Sequence, residues 1–260
     1  MKKVILLYFG FAVLTLNCSN TASKNKITPL NTQEKEVLQG KQGKIFNAFV
    51  QSNIQHDPAP LIVIQEQLKG LAAKKQNRLL TYWQAYLQYY AAIFYLSQEN
   101  KEKAEAEIDI AVDLMDDLGD KNSEDYALLA LVESFSIQFK GLKAMFISGS
   151  IKKNGKRAIS LDPKNCRAYY VLASNDFYTP EQYGGGEQAE ELLVKALSLP
   201  AQQQQNPYLP SWGKEESYEL LVKHYVKSDQ RDKAKRYCKE GLELFPNSYG
   251  LGKLAISLLE

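Results

Sequence analysis

Apolar side chains recur at every third or fourth position along almost the whole chain after residue 30, which is the spacing of amphipathic helices. The clearest stripe lies in a helix that the pattern predicts from about Asn77 to Ser97. Its rings, at steps of four, are Tyr82, Tyr86, Tyr90 and Phe94. No segment alternates apolar and polar residues convincingly over six positions, so a sheet is not expected. The pattern predicts an all-α protein.

Local capping signals mark the beginnings of two helices. Asn31 is followed three residues later by Glu34, which is the arrangement of a capping box. Asp57 precedes Pro58, which predicts a capped start for a helix that runs through Leu71. Helices are therefore expected to begin soon after residue 30.

One spacing of large and small residues occurs in several helix pairs. The clearest copy is Tyr218-x2-Leu221-Val222-x2-Tyr225, then Ala234-x3-Cys238-x2-Gly241, then Pro246. It resembles the tetratricopeptide repeat, whose pattern is W-x2-L-G-x2-Y…A-x3-F-x2-A…P. A second copy is Tyr169-x2-Leu172-Ala173-x2-Asp176, then Ala189-x3-Leu193-x2-Ala196, in which Asp176 replaces the expected Tyr. In this pattern the large residues fill the core of a helix hairpin, and the small residues allow the second helix to approach closely.

The resemblance implies a right-handed α-solenoid of antiparallel helix hairpins. The small positions Ala111, Ala158, Ala196 and Gly241 are 47, 38 and 45 residues apart, longer than the typical repeat of about 34 residues. We therefore expect lengthened helices or loops. The predicted boundaries are a capping hairpin at 31–75, tetratricopeptide-like repeats at 76–248 that are clearest at 165–248, and a C-terminal capping helix at 249–260.

The first residues have the composition of an export signal. Two lysines precede an apolar run from Val4 to Leu16, which is about 13 residues and well short of the roughly 20 that a membrane-spanning helix needs. A basic start followed by a short apolar stretch indicates a secretory signal peptide at 1–17. Residues 18–30 lack periodicity, which predicts a flexible tether.

Cys18 directly follows the apolar run, where the lipid-modified cysteine of a bacterial lipoprotein would lie. The segment from Leu14 to Cys18 loosely resembles a lipobox, with the Leu register and the small residue displaced. A lipid on Cys18 would hold the mature protein in the cell envelope, on the periplasmic side of the outer membrane. Ordinary cleavage near Thr21 or Ser23 and an uncleaved anchor are the alternatives.

Charge and composition argue against several classes of function. The 32 Lys and Arg residues are balanced by 30 Asp and Glu residues, so no global basic field exists to hold nucleic acid. The chain has two His and three Cys residues, and it contains no nucleophile elbow, HExxH motif or P-loop. His56 and His224 each lack a second ligand at helical spacing. We therefore expect a protein that is not an enzyme, with no catalytic residue, cofactor or metal site.

The resemblance also implies a binding surface, because inward-facing positions of each first helix line the concave side of tetratricopeptide folds. Carried over to this chain, the candidate groove positions are Tyr86, Tyr89, Ile93, Arg167, Tyr170, Ser174 and Phe177, followed in the last repeat by Glu216, Glu219 and Lys223. Tyr and Phe rings on a concave surface suit an extended or helical peptide. The implied function is a non-enzymatic interaction or scaffold module whose partner is another envelope protein or a peptide segment.

A glycine-rich loop leaves a second function open. The run from Phe177 through Gly184-Gly185-Gly186 to Ala189 resembles loops of envelope tetratricopeptide proteins, including the lipoprotein T-component of some TRAP transport systems. This resemblance implies a solute-binding accessory of a transport system. Its aromatic cavity would take a small apolar or acidic molecule.

A basic segment also has two interpretations. Between residues 134 and 161 there is no acid and there are six cations: Lys140, Lys143, Lys152, Lys153, Lys156 and Arg157. The segment is either a solvated face or a contact surface for acidic partner segments or lipid head groups.

Overall fold

The computed structural model describes residues 30–74, 77–200 and 206–259, and these residues form helices and turns without a strand. The predicted signal peptide, Cys18 and nearly all of the predicted tether lie outside the described residues. The α-helices are α1 (Thr32–Leu38), α2 (Lys41–Gln55), α3 (Ala59–Ala72), α4 (Arg78–Ser97), α5 (Lys101–Asp116), α6 (Ser123–Ser136), α7 (Ala144–Leu161), α8 (Cys166–Tyr178), α9 (Ala189–Ser198), α10 (Lys214–Lys227), α11 (Arg231–Leu244) and α12 (Tyr249–Leu259).

The helices pack as consecutive hairpins. α4 packs on α5, α6 on α7, α8 on α9 and α10 on α11, and the first helix of each hairpin also contacts the first helix of the next. The hairpin of α2 and α3 covers α4 at one end, and α12 packs on α10 and α11 at the other. The predicted all-α solenoid of helix hairpins is thereby confirmed.

The capping signals in the sequence act as predicted. The Glu34 amide donates to Asn31 Oδ1 at 2.9 Å, and the Asn31 amide donates back to Glu34 Oε2 at 2.7 Å. The Ala59 amide donates to Asp57 Oδ1 at 2.9 Å. The start of each helix was therefore predictable because its signal is local.

The small positions of the repeats lie at contacts between helices. Ala111, Ala158 and Ala196 are fully buried. At Gly241 an added Cβ would lie 2.8 Å from Leu251 Cδ1, which is closer than real carbon contacts allow. The helices therefore pack closely at the positions where the spacing predicts small residues.

The connection between α9 and α10 does not follow the repeat plan. Its described part, residues 206–213, runs back to the N-terminal hairpin, and we call this segment the strap. The Gly40 amide donates to the Pro207 carbonyl at 2.7 Å. The amides of Ser211 and Trp212 both donate to Gln42 Oε1, at 2.8 and 3.1 Å. The strap therefore joins parts of the chain that are about 170 residues apart.

The strap is also fastened to α4. Trp83 Nε1 donates to the Tyr208 carbonyl at 3.0 Å, and Trp212 Nε1 donates to the Tyr82 hydroxyl at 2.8 Å. Both tryptophan side chains are buried, so these hydrogen bonds are shielded from water. The inner side of the solenoid is therefore covered near the N-terminal end of α4.

Candidate functional site

Aromatic side chains of α4, α6, α8 and the strap pack into one cluster, and we call the surface that they form the aromatic cleft. We define it by six rings: Tyr86, Tyr89, Tyr90, Phe135, Tyr170 and Trp212. Trp212 stacks on Tyr86 with ring centroids 6.3 Å apart, and it meets Tyr170 edge-on at 6.2 Å. The strap thus supplies the ring that connects the aromatic side chains of α4 with those of α8.

The rings of α4 continue the cleft toward α6. Tyr89 meets Phe135 at 5.5 Å and Tyr90 at 5.5 Å, in edge-to-face geometry in both cases. The hydroxyls of Tyr86 and Tyr90 lie 3.4 Å apart. Edge-to-face pairs at these distances are favourable, so the rings hold one another in fixed positions.

The rings differ in their exposure. Tyr86 and Trp212 are each 2% exposed and form the closed base of the cleft. Tyr89, Tyr90 and Tyr170 are partly exposed and form its walls. Within the part of the chain that the structure describes, the hydroxyls of Tyr89 and Tyr170 have no hydrogen-bond partner. These two hydroxyl groups can therefore form hydrogen bonds with a ligand. Burial raises the pKa of both phenols further above the usual value, so both groups are neutral.

The α10 side of the cleft is acidic. Burial raises the pKa of the Glu216 carboxyl to about 7, and repulsion from Glu215 and Glu219 acts in the same direction. The Gly213 amide donates to Glu216 Oε2 at 2.6 Å, which partly stabilises the charged form. Glu216 in turn raises the pKa of the Tyr89 and Tyr170 phenols, so its carboxyl lies within electrostatic range of the cleft walls.

The structure separates the seven predicted groove positions. Tyr86, Tyr89 and Tyr170 come together in the aromatic cleft. The partly exposed Phe177 lies in another cluster, with Tyr178 at 4.9 Å and His224 at 6.3 Å. The remaining positions outside the cleft are Ile93, which is partly exposed, and Arg167 and Ser174, which are buried.

The expectation of an open groove is corrected at three positions. Tyr86, Arg167 and Ser174 have at most 9% of their surface exposed, so none of them presents an open side chain to a partner. Tyr86 is covered by Trp212, and Ser174 lies within the buried part of α8. The spacing of a repeat gives the direction of a side chain, and it does not show what another segment places over it.

Arg167 fastens the strap to the solenoid. Its guanidinium makes a bidentate pair with Glu124 of α6 and donates to the Trp212 carbonyl at 2.9 Å. It also lies over the Trp212 ring, 5.6 Å from the centroid. Gly213 allows this approach, because it has a φ of 107° and a Cβ there would lie 2.7 Å from Arg167 Cγ.

Sequence reasoning missed three rings of the cleft as binding residues. Tyr90 belongs to the predicted helical stripe, so its position on α4 was visible in the sequence. Phe135 lies near the end of α6, outside the two quoted copies of the repeat. Trp212 lies in a connection, for which the repeat pattern assigns no direction. Its size was the only signal, since buried tryptophans in loops often anchor them.

The glycine-rich loop has a structural partner. Asp176 Oδ2 accepts hydrogen bonds from the amides of Gln188 and Ala189, both at 2.8 Å. The Gly186 amide donates to the Asp176 carbonyl at 2.9 Å. Asp176, which departs from the repeat pattern, therefore caps α9 and occupies the helix end where a phosphate would bind.

The described residues contain no group of His, Cys, Asp and Glu side chains that could hold a metal ion. Cys166 and Cys238 are buried and not linked to each other. His224 lies beside Phe177, with Nε2 3.7 Å from a Glu190 carboxylate oxygen. Among the described helices, none is both long and apolar enough to cross a bilayer.

Comparison with known proteins adds information about the fold. No protein-family model and no curated protein matches the chain. The structure of the HusA haemophore from Porphyromonas gingivalis is 23% identical with a TM-score of 0.52, and the match covers 74% of this chain and 92% of that one. A structure of Pseudomonas aeruginosa pilF is 18% identical with a TM-score of 0.38, covering 67% of each chain. The chain thus shares a helical fold with the haemophore, and its own hairpins define it as a helical-repeat protein, a class that uses concave surfaces for binding.

Proposed function

We propose that this chain is a non-catalytic binding protein of the bacterial cell envelope, anchored by a lipid on Cys18, and that a segment of another envelope protein enters the aromatic cleft. Partly exposed rings supply apolar contact area at a small cost in side-chain entropy. The two unpartnered hydroxyls supply hydrogen bonds to a peptide backbone.

The observation that carries this proposal is the exposure of Tyr89 and Tyr170. Rings that only fill a core are covered on all sides, whereas these two retain exposed surface beside a closed base. Tyrosines in such positions are frequent binding hot spots. Their contacts with Phe135 and Trp212 hold them in place before a ligand arrives, which lowers the entropic cost of binding.

Truncating the wall rings tests the proposal. We expect Tyr89→Ala and Tyr170→Ala each to weaken partner binding by about 2 kcal/mol or more, because each is expected to be a hot spot. Each should cost less folding stability than the about 3–5 kcal/mol of a fully buried ring. The measurements are capture from detergent-solubilised membranes, quantified against wild type by mass spectrometry, and urea unfolding of the same samples.

The matched control is Tyr183→Ala, which removes an exposed tyrosine outside the cleft. It should leave both capture and unfolding unchanged. Wall variants that unfold as readily as core variants would show that the rings are structural. Stable wall variants that still capture every partner would refute a role of the cleft in binding.

A small solute is the second candidate ligand. Trp212 covers Tyr86 at the base of the cleft, and a site lined by aromatic rings with a few hydroxyl groups also suits a small molecule. HusA, whose structure this chain resembles, is a haemophore. The sequence left open an apolar or an acidic solute, and Glu216 and Glu219 on the cleft side of α10 favour an apolar or cationic one.

Mass measurement distinguishes the two candidates. Protein purified from its native envelope should carry a small-molecule adduct in native mass spectrometry if the cleft binds a solute. A neutral porphyrin can be titrated directly with absorption as the readout, and haemin, whose propionates are acidic, is the counterpart that Glu216 and Glu219 should disfavour. Two results together would favour the solute over the peptide. The wild type would capture no protein, and Tyr89→Ala would lose the small-molecule adduct or the absorption change.

The proposed anchor is tested at Cys18. Cys18→Ser should move the mature protein into the soluble envelope fraction after a high-salt wash, because a lipid chain is the attachment that salt does not remove. Cell fractionation followed by immunoblotting measures this. A variant that stays in the washed membrane would contradict the proposal and favour an uncleaved anchor or a hydrophobic partner.

A further inference from the structure

An apolar corner projects from the solenoid where α6 turns into α7. Two short 3-10 turns, Ile137–Phe139 and Gly141–Lys143, form this corner. Leu142 is 99% exposed, and Met145 and Phe146 are each 76% exposed. Three large apolar side chains so close together and so open to water are unusual on a protein surface and indicate a contact with something apolar.

The corner continues into a cationic face of α7. Lys152, Lys153, Lys156 and Arg157 are exposed, and no ion pair is formed by any of them within the described residues. Their spacing places them on the same side of the helix as Met145 and Phe146. In contrast, Lys140 is neutralised by Glu105 at 2.9 Å and Asp109 at 2.7 Å.

A shallow cavity of about 540 Å³ lies beside the cationic face. Three of its lining cations are Lys153, Lys156 and Arg157, and Asp116 is the one acid among the lining residues. Its size and charge suit the phosphate of a lipid head group.

We propose that the α6–α7 corner and the cationic face of α7, together called the corner patch, dock on an anionic lipid bilayer. The apolar tip would enter the boundary between head groups and acyl chains while the cations contact anionic head groups. Apolar side chains that are 76–99% exposed, next to unpaired cations, suit insertion at the boundary between head groups and acyl chains. The corner patch is separate from the cleft and from Cys18, so this proposal goes beyond the proposed function.

A tryptophan probe at the tip tests the proposal in the full chain. The anionic vesicles contain equal amounts of brominated phosphatidylcholine and phosphatidylglycerol, and the neutral vesicles contain brominated phosphatidylcholine alone. With the anionic vesicles, the tryptophan emission of Leu142→Trp should shift to the blue and be quenched by bromine, since the new ring would lie in the acyl region. Difference spectra against wild type remove the signals of Trp83 and Trp212, which are buried. The probe reports its own position, so a lipid anchor elsewhere does not produce the signal.

The matched control is Tyr249→Trp, an exposed site at the start of α12, which should remain unquenched. A second variant adds Lys152→Glu, Lys153→Glu and Lys156→Glu to Leu142→Trp. Its affinity for the anionic vesicles, measured from the emission shift at increasing lipid concentration, should fall by about fivefold or more for each cation lost. Circular dichroism verifies that the exposed substitutions leave the helices intact.

Three outcomes would overturn the proposal. The tryptophan at position 142 could remain unquenched in the anionic vesicles and in vesicles of phosphatidylcholine alone. It could be quenched equally by vesicles of phosphatidylcholine alone, which would remove the role of the cations. It could shift with acidic envelope proteins and not with vesicles, which would assign the corner patch to a protein partner.

Discussion

Arg167→Met is expected to lower the free energy of unfolding by about 3–5 kcal/mol, because it breaks a buried ion pair. Arg167 is 1% exposed, and its guanidinium holds Glu124 and the Trp212 carbonyl at the same time. Methionine fills a similar volume and donates no hydrogen bond. Urea unfolding followed by circular dichroism measures the loss.

An exposed ion pair is the matched control for this substitution. Arg236 and Glu240 lie one helical turn apart on α11, and their side chains are 60% and 46% exposed. Arg236→Met should cost less than about 1 kcal/mol, because water screens such a pair. Equal losses for the two substitutions would mean that the pair of Arg167 and Glu124 has no special role in holding the strap.

Trp212→Ala is expected to destabilise the fold by about 3–5 kcal/mol, as truncation of a buried ring does. The substitution removes the contacts with Tyr86 and Tyr170 and the hydrogen bond to Tyr82. Urea unfolding gives the global loss. Hydrogen exchange gives a local measure, since the Gly40 amide, which donates to the strap, should exchange faster.

Two further variants make the Trp212 result specific. Trp212→Phe keeps a smaller ring and loses the indole donor, so a part of the stability lost in Trp212→Ala should return. Tyr249→Ala removes an exposed ring and should change the stability by less than about 0.5 kcal/mol. Unchanged exchange at Gly40 in Trp212→Ala would show that the strap is held without Trp212.

The sequence predicted the features that depend on neighbours along the chain. Asn31 and Asp57 mark helix starts because a cap acts within a few residues of itself. Ala196 and Gly241 lie at helix contacts because each repeat packs its second helix closely against its neighbours at the same position. The contact between Gln42 and Trp212 has no such local cause, and no sequence pattern indicated it.

The candidate site was predicted only in part for the same reason. Tyr86 and Tyr90 occupy one stripe of α4, yet Tyr86 is buried and Tyr90 is partly exposed. Trp212 of the strap stacks on Tyr86 and not on Tyr90, which lies one turn further along α4. Arg167 occupies a groove position by register, and its charge is instead used to hold Trp212. Register alone determines the direction of these side chains, whereas the strap determines their burial.

The link between the strap and residues 40–42 changes how the chain must fold. In an ordinary solenoid each repeat contacts only its neighbours, so structure can nucleate anywhere and spread along the array. Here the N-terminal hairpin is completed by a segment about 170 residues later. Such distant contacts slow folding, because a long loop must close before they form. Until residues 206–213 have docked, the surfaces of α2 and α4 that receive the strap stay uncovered.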